Sequence, residues 1–100
     1  MPSATLQGVV IADAPESDVL HIEGSVYFPP TSVRHELLEP SSTPYTCPWK
    51  GECQYFSVRS GNGLFADRAW SYRHPRPTAF ERVGADFSHY VAFRNEVEVE

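Results

Sequence analysis

Nine prolines and six glycines punctuate the 100-residue chain, and no other feature limits the fold as strongly. Proline cannot donate to a ladder or continue a helix, and glycine supplies the positive φ of tight turns. Only short elements fit between such stops. Leu6 to Ala12 is a short β-branched run and reads as a first strand, closed by the turn chemistry of Asp13-Ala14-Pro15-Glu16-Ser17. Val19 to Ile22 and Val26 to Phe28 flank Glu23-Gly24-Ser25 and predict a β-hairpin. Pro29-Pro30 stops it. Ser32 then caps one short helical segment, Ser32 to Leu38, with Val33 and Leu37 on one face until Pro40 ends it.

The polar, proline-kinked stretch from Pro40 to Pro48 reads as a loop leading into Cys47. Glu52 to Val58 and Leu64 to Tyr72 are expected to pair antiparallel across Ser60-Gly61-Asn62-Gly63, whose Asn-Gly step suits a primed turn. At the C-terminus Val97 and Val99 alternate with Glu96, Glu98 and Glu100, a period of two with one buried and one acidic face. His89 to Phe93 is also strand-like, and Arg94-Asn95 is short enough to be a turn between the two. Sequential hairpins with one helical turn give an all-β or β-dominated α+β domain, a compact antiparallel meander or rolled sheet.

Length bounds the organisation to one domain over residues 1 to 100. Eight Lys and Arg stand against 13 Asp and Glu, a formal charge of −5, which leaves no excess of cations for a nucleic-acid backbone. No run approaches the roughly 18 apolar residues that cross a bilayer, and no basic-then-apolar leader opens the chain. The expectation is a cytoplasmic protein without nucleic-acid or membrane partners, whose Cys47 and Cys53 are free thiols. The four histidines share no metal-ligand spacing with a second ligand, so no metal is expected. Cofactor and oligomeric state are not readable.

Chemistry concentrates between Tyr45 and Tyr72, which holds both cysteines, both tryptophans and the single lysine. Lys50 offers a compact ammonium for an anion, a nucleophile if burial lowers its pKa, or simply a solvated loop residue. Cys47, stiffened by Pro48, is a candidate thiolate with Lys50 as its cation, or a small buried hydrophobe. In Asp67 to Tyr72, alternation sets Asp67, Ala69 and Ser71 on one face and Arg68, Trp70 and Tyr72 on the other. Trp70 and Tyr72 are then core, or a stacking wall for a flat ligand. Asp67 can bear a proton or satisfy loop amides. Lys50 and Asp67 are expected to face one concavity walled by Trp49, Trp70 or Tyr72, with Cys47 at its edge.

The order Cys47-Pro48-Trp49-Lys50-Gly51, Tyr55-Phe56-Ser57-Val58, Asp67, Ala69-Trp70-Ser71-Tyr72 and Tyr90-Val91-Ala92-Phe93 resembles the domain of unknown function 427 family, also labelled nucleotidyl-transferase-like, in its short single-domain cyanobacterial-type form. The resemblance runs from about Gly8 to the end and includes Tyr27-Phe28-Pro29-Pro30 and Leu38-Glu39-Pro40-Ser41. It implies a small β-rich fold, similar to the tent-like sheets of the Mss4-like group, and gathers Cys47, Trp49, Lys50, Asp67, Trp70 and Tyr72 around one pocket. Nucleotidyl transfer is not carried over, because metal-dependent transfer needs clustered carboxylates and Asp13, Asp18, Asp67 and Asp86 are isolated in sequence. Three functions remain open: a module binding a small anionic or flat ligand in an aromatic-lined pocket, an enzyme with Cys47 or Lys50 as nucleophile and Asp67 or a histidine as proton carrier, and a structural or protein-interaction domain.

Overall fold

The computed structural model describes residues 2–61, 63–94 and 96–100. Its centre is a four-stranded antiparallel sheet in the order β5-β6-β7-β8, made of β5 (Leu38–Cys47), β6 (Gly51–Ser60), β7 (Gly63–Ser71) and β8 (Val91–Phe93). A three-stranded sheet joins β1 (Ser3–Leu6) to β2 (Val9–Asp13) on one side and β9 (Glu98–Val99) on the other, and β3 (Leu20–Ile22) pairs with β4 (Ser25–Tyr27) as a separate hairpin. One α-helix, α1 (Pro77–Val83), precedes β8. The domain is mainly β, as its sequence predicts.

The central sheet has two apolar faces because its strands alternate. Phe56, Ala69 and Phe93 form one cross-strand row, and Tyr55, Trp70 and Ala92 form the next. The first row and Val58 pack with Ala4, Leu6, Ile11 and Phe28 against the three-stranded sheet. The second packs with Tyr27, Cys47, Cys53, Tyr72 and Phe87 beneath the β3–β4 hairpin and α1. Two small clusters thus share one sheet, an arrangement that lets a short chain bury apolar surface on both faces.

Two expected hairpins are present. β3 and β4 pair through Glu23 and Gly24, both at positive φ (52° and 80°), the backbone a primed two-residue turn requires. β6 and β7 pair antiparallel from Gln54↔Ser71 to Ser60↔Gly63; Asn62 of the expected turn lies outside the described residues.

Other expectations give way. The single strand read over Leu6 to Ala12 is the second half of a hairpin, since Gln7 and Gly8 take φ of 52° and 79° and fold β1 onto β2. The helical segment near Ser32–Leu38 takes the form of two 3₁₀ turns, Pro30–Ser32 and His35–Leu37, without a side-chain cap from Ser32. The α-helix lies elsewhere. Pro77 opens α1 and Gly84, at φ 84°, closes it with an N–H to Phe80 O bond of 2.8 Å, the Pro-start, Gly-stop asymmetry of helices. Residues 40–47 are strand rather than loop, and Pro48 begins the turn that follows. β5 is an outer strand with β6 on one side only, where Pro40 and Pro44 cost less than in a central strand. Finally, β8 and β9 are not partners across Arg94-Asn95: β9 pairs with β1 and β8 with β7, while Asn95 lies outside the described residues.

Candidate functional site

The turn between β5 and β6 carries Pro48, Trp49 and Lys50, and Gly51 completes it at φ 112°, a conformation that strains any residue with a Cβ. This turn lies at the open end of the β6–β7 hairpin, where the Arg76 N–H bonds the Lys50 carbonyl at 2.9 Å. Lys50 is therefore turned under the β3–β4 hairpin and is only 5% exposed. Its Nζ lies 5.1 Å from the ring centroids of Trp49 and Tyr72 and 6.0 Å from that of Tyr27. A desolvated ammonium is costly unless paired, and here the pair is Glu23, whose Oε1 accepts from Nζ at 2.5 Å.

Glu23 comes from the hairpin tip and stays 56% exposed. The Lys50 hydrogen bond, aided by the Trp49 indole N–H and the Arg82 charge, holds its carboxyl below the usual range. For Lys50, burial works to lower the pKa, but Glu23 and the surrounding hydroxyl and thiol groups outweigh it and leave the value above that of ordinary lysine. The ammonium stays charged at neutral pH, contrary to what an amine nucleophile needs.

The aromatic wall behind Lys50 is fixed by its own contacts. Trp70 Nε1 donates to the Tyr27 hydroxyl at 3.0 Å, and Phe87 meets Tyr27 and Tyr72 edge-on at 6.3 and 6.1 Å. Cys47 and Cys53 are free and buried in the same cluster. Burial pushes the Cys53 thiol up to about 11, although the Tyr72 hydroxyl and the Lys50 charge oppose the shift.

Cys47, Trp49, Lys50, Trp70 and Tyr72 are thus gathered in one aromatic cluster around the ammonium. Asp67 has a different setting. It sits midway along β7, opposite Ser57, where its N–H contacts Ser57 Oγ at 3.4 Å. Six residues of extended β6 separate Ser57 from Gly51, about 20 Å of strand. The Asp67 carboxylate accepts from Thr43 Oγ1 at 2.7 Å, and hydroxyls of Ser41 and Thr43 hold its pKa low. At φ 53° it forms the irregularity between the Phe56 and Val58 pairings.

The sequence reading paired Lys50 with Asp67 and missed Glu23 and Arg82. Glu23 was visible only as a turn residue. Arg82 belongs to the helix that reading left out, and its guanidinium lies 4.6 Å from the Trp49 ring centroid. Beside them opens a cavity of about 240 Å³ lined by His21, Ile22, Glu23, Trp49, Arg82 and Val83.

The stem and the charge of Lys50 separate experimentally. Lys50→Ala should cost about 2–4 kcal/mol by emptying the space between three rings. Lys50→Met keeps a polarisable stem there and releases an exposed Glu23 to water, so about 1 kcal/mol is expected. Urea denaturation of both variants checks this; equal losses would mean that the cage depends on the charge.

Among the described residues no group of three or more His, Cys, Asp or Glu is placed to hold a metal ion, and no helix is long and apolar enough to cross a membrane. No curated protein gives a significant match to the chain. A family model described as "Domain of unknown function (DUF427)" matches residues 3–100, the span that contains both sheets, the hairpin and the caged lysine. The chain belongs to that family.

Proposed function

We propose that this domain is a binding module for a small anionic ligand, and that the ligand's anionic group takes the position held here by the Glu23 carboxylate. One observation carries this reading: an exposed carboxylate from a hairpin tip rests on the Lys50 ammonium, with Trp49 and the Arg82 guanidinium beside it. That is a convergent donor set for an oxyanion. The adjoining cavity has apolar walls in Ile22, Trp49 and Val83, suited to the flat body of such a ligand. Glu23 is then an internal stand-in. In this reading Trp70 and Tyr72 support the site from behind, and Asp67 plays no part in it.

Nucleophilic catalysis is less well supported. Lys50 is held protonated, Cys53 titrates far above neutrality, and Cys47 is 5% exposed. A structural reading has its own observation, the burial of Lys50, which makes the ion pair a clamp between the β3–β4 hairpin and the β5–β6 turn.

Anion rescue separates the two. Glu23→Ala should lose about 1–3 kcal/mol, the cost of removing a charged partner from a buried donor. Phosphate or acetate should then raise the melting temperature of Glu23→Ala by several degrees more than equal ionic strength of chloride, by mass action. Wild type should respond weakly, and the double variant Glu23→Ala/Lys50→Met not at all. Equal responses to phosphate, acetate and chloride would reject the binding reading and leave the clamp.

A further inference from the structure

A second concavity lies on the other face of the central sheet, beside Phe56, which is only partly buried at the edge of the first cluster. It has a volume of about 520 Å³, with Phe56, Ser71 and Val91 as its floor and Pro30, His35, Arg73 and His89 around it. The floor follows from register: Ser71 opposes Gln54 on one side and Val91 on the other, two pairs beyond the Phe56–Ala69–Phe93 row and so on the same face. The apolar row of the first cluster therefore runs out into the open.

Three observations together point to a ligand. Arg73 lies over the Phe56 ring at 5.9 Å and has no carboxylate within 4 Å among the described residues. Ser71 is 3% exposed as a residue and lines the groove, and its hydroxyl makes no side-chain hydrogen bond among those of the described residues, so it is left to whatever occupies the groove. No acidic side chain lines the groove. Of the acids nearest in sequence, Glu36 lies 3.7 Å from Arg34, and Asp86 is engaged by the Ser88 N–H and hydroxyl at 2.9 and 2.6 Å. The remaining polar rim is Ser88, His35 and His89. His35 Nε2 bonds the Pro30 carbonyl at 2.7 Å. His89 is held at φ 66° by its N–H bond to the Tyr72 carbonyl, its ring edge-on to His74.

We infer that this groove binds a small aromatic carboxylate, with its ring on Phe56 and Val91 and its carboxylate between the Arg73 guanidinium and the Ser71 hydroxyl. An apolar floor selects the ring, an unpaired guanidinium matches a carboxylate in two-pronged geometry, and the hydroxyl gains the acceptor it lacks. This site is independent of the one at Lys50, which lies on the opposite face of the sheet.

Benzoate is the probe, followed by amide and side-chain NMR shifts. Saturable shifts should be centred on Phe56, Ser71, Arg73 and His89, with a Kd on the order of 1 mM or tighter for so small a ligand. Arg73→Gln should weaken benzoate about tenfold or more, Ser71→Ala should weaken it several-fold, and benzyl alcohol should bind at least about tenfold more weakly than benzoate. Lys50→Met should leave benzoate binding in the groove unchanged, so failure of the Lys50 proposal and failure of this one give different results. No saturation by 10 mM benzoate, roughly ten times the expected Kd, would overturn the inference. So would binding that survives Arg73→Gln, or inorganic phosphate matching benzoate at the same residues.

Discussion

Phe87→Ala should destabilise the domain by about 3–5 kcal/mol, the range for truncating a fully buried aromatic. Phe87 is 0% exposed and lies edge-on to Tyr27, Tyr72 and Phe80 at 6.3, 6.1 and 5.9 Å. It therefore supports two of the three rings around Lys50 while lying outside every regular strand and helix. For a domain of this length, whose total stability is on the order of 5–15 kcal/mol, the loss approaches the threshold of folding. Urea unfolding should show a lower midpoint with an unchanged slope. Phe80→Ala, which removes a partly buried ring from the same cluster, should cost less. A Phe87→Ala loss below about 1 kcal/mol would mean that the cluster closes over the gap, which close-packed cores seldom do.

Alkaline pH should destabilise the protein through a thiol. Burial holds Cys53 at about 11 against an ordinary value of 9.0, so the unfolded chain releases this proton first. A raised folded-state value contributes stability that is complete below pH 9 and is lost as pH rises through about 11. Two units correspond to roughly 2–3 kcal/mol, applicable here because Cys53 is only 6% exposed. Tyr27 and Tyr72, raised by burial, extend the loss beyond pH 10, and Lys50 adds its own share above 10.5. Denaturation midpoints under reducing conditions should fall steeply between pH 9 and 11, the window set by the Cys53 shift. Cys53→Ala should flatten the lower part of that fall. A wild-type profile level to pH 11 would show that the thiol is not desolvated as the structure has it.

The two predictions meet in one cluster, which explains how Lys50 is kept charged and in place. Aromatic edges form a rigid wall, the Cys53 thiol remains neutral, and the carboxylate at the ammonium comes from a hairpin tip open to solvent. On the acid side the sign is opposite. The Glu23 carboxyl is held below its ordinary 4.5, so its contribution is present above that pH and is lost as pH falls through the lowered value.

Elements that depend on neighbours in the chain are legible without the fold. The β3–β4 turn needed only Gly24 between apolar runs, and the β6–β7 pair needed only the turn residues between two β-prone stretches. The alternation in Ala69-Trp70-Ser71-Tyr72 correctly divides those residues between the two faces of the sheet, because strand periodicity is local. The family resemblance implies a gathering of Cys47, Trp49, Lys50, Asp67, Trp70 and Tyr72, of which Asp67 lies apart. The α1 boundaries were also present in Pro77 and Gly84, but a seven-residue helix gives too few turns for its apolar period to stand out.

The remaining features depend on contacts between distant segments of the chain. β5 is a strand because β6 offers a partner and an outer position tolerates Pro40 and Pro44; no local signal distinguishes that from a loop. β9 joins β1 across nearly the whole chain, a pairing set by how the sheets stack. The partner of Lys50 is the largest such case. Asp67 is closer in sequence, but long strands carry Lys50 to the open end of the β6–β7 hairpin and Asp67 to the middle of β7, while packing brings Glu23, 27 residues away in sequence, to 2.5 Å. A buried charge takes the opposite charge that the fold delivers to it, and which one arrives depends on strand length, register and the docking of a distant hairpin.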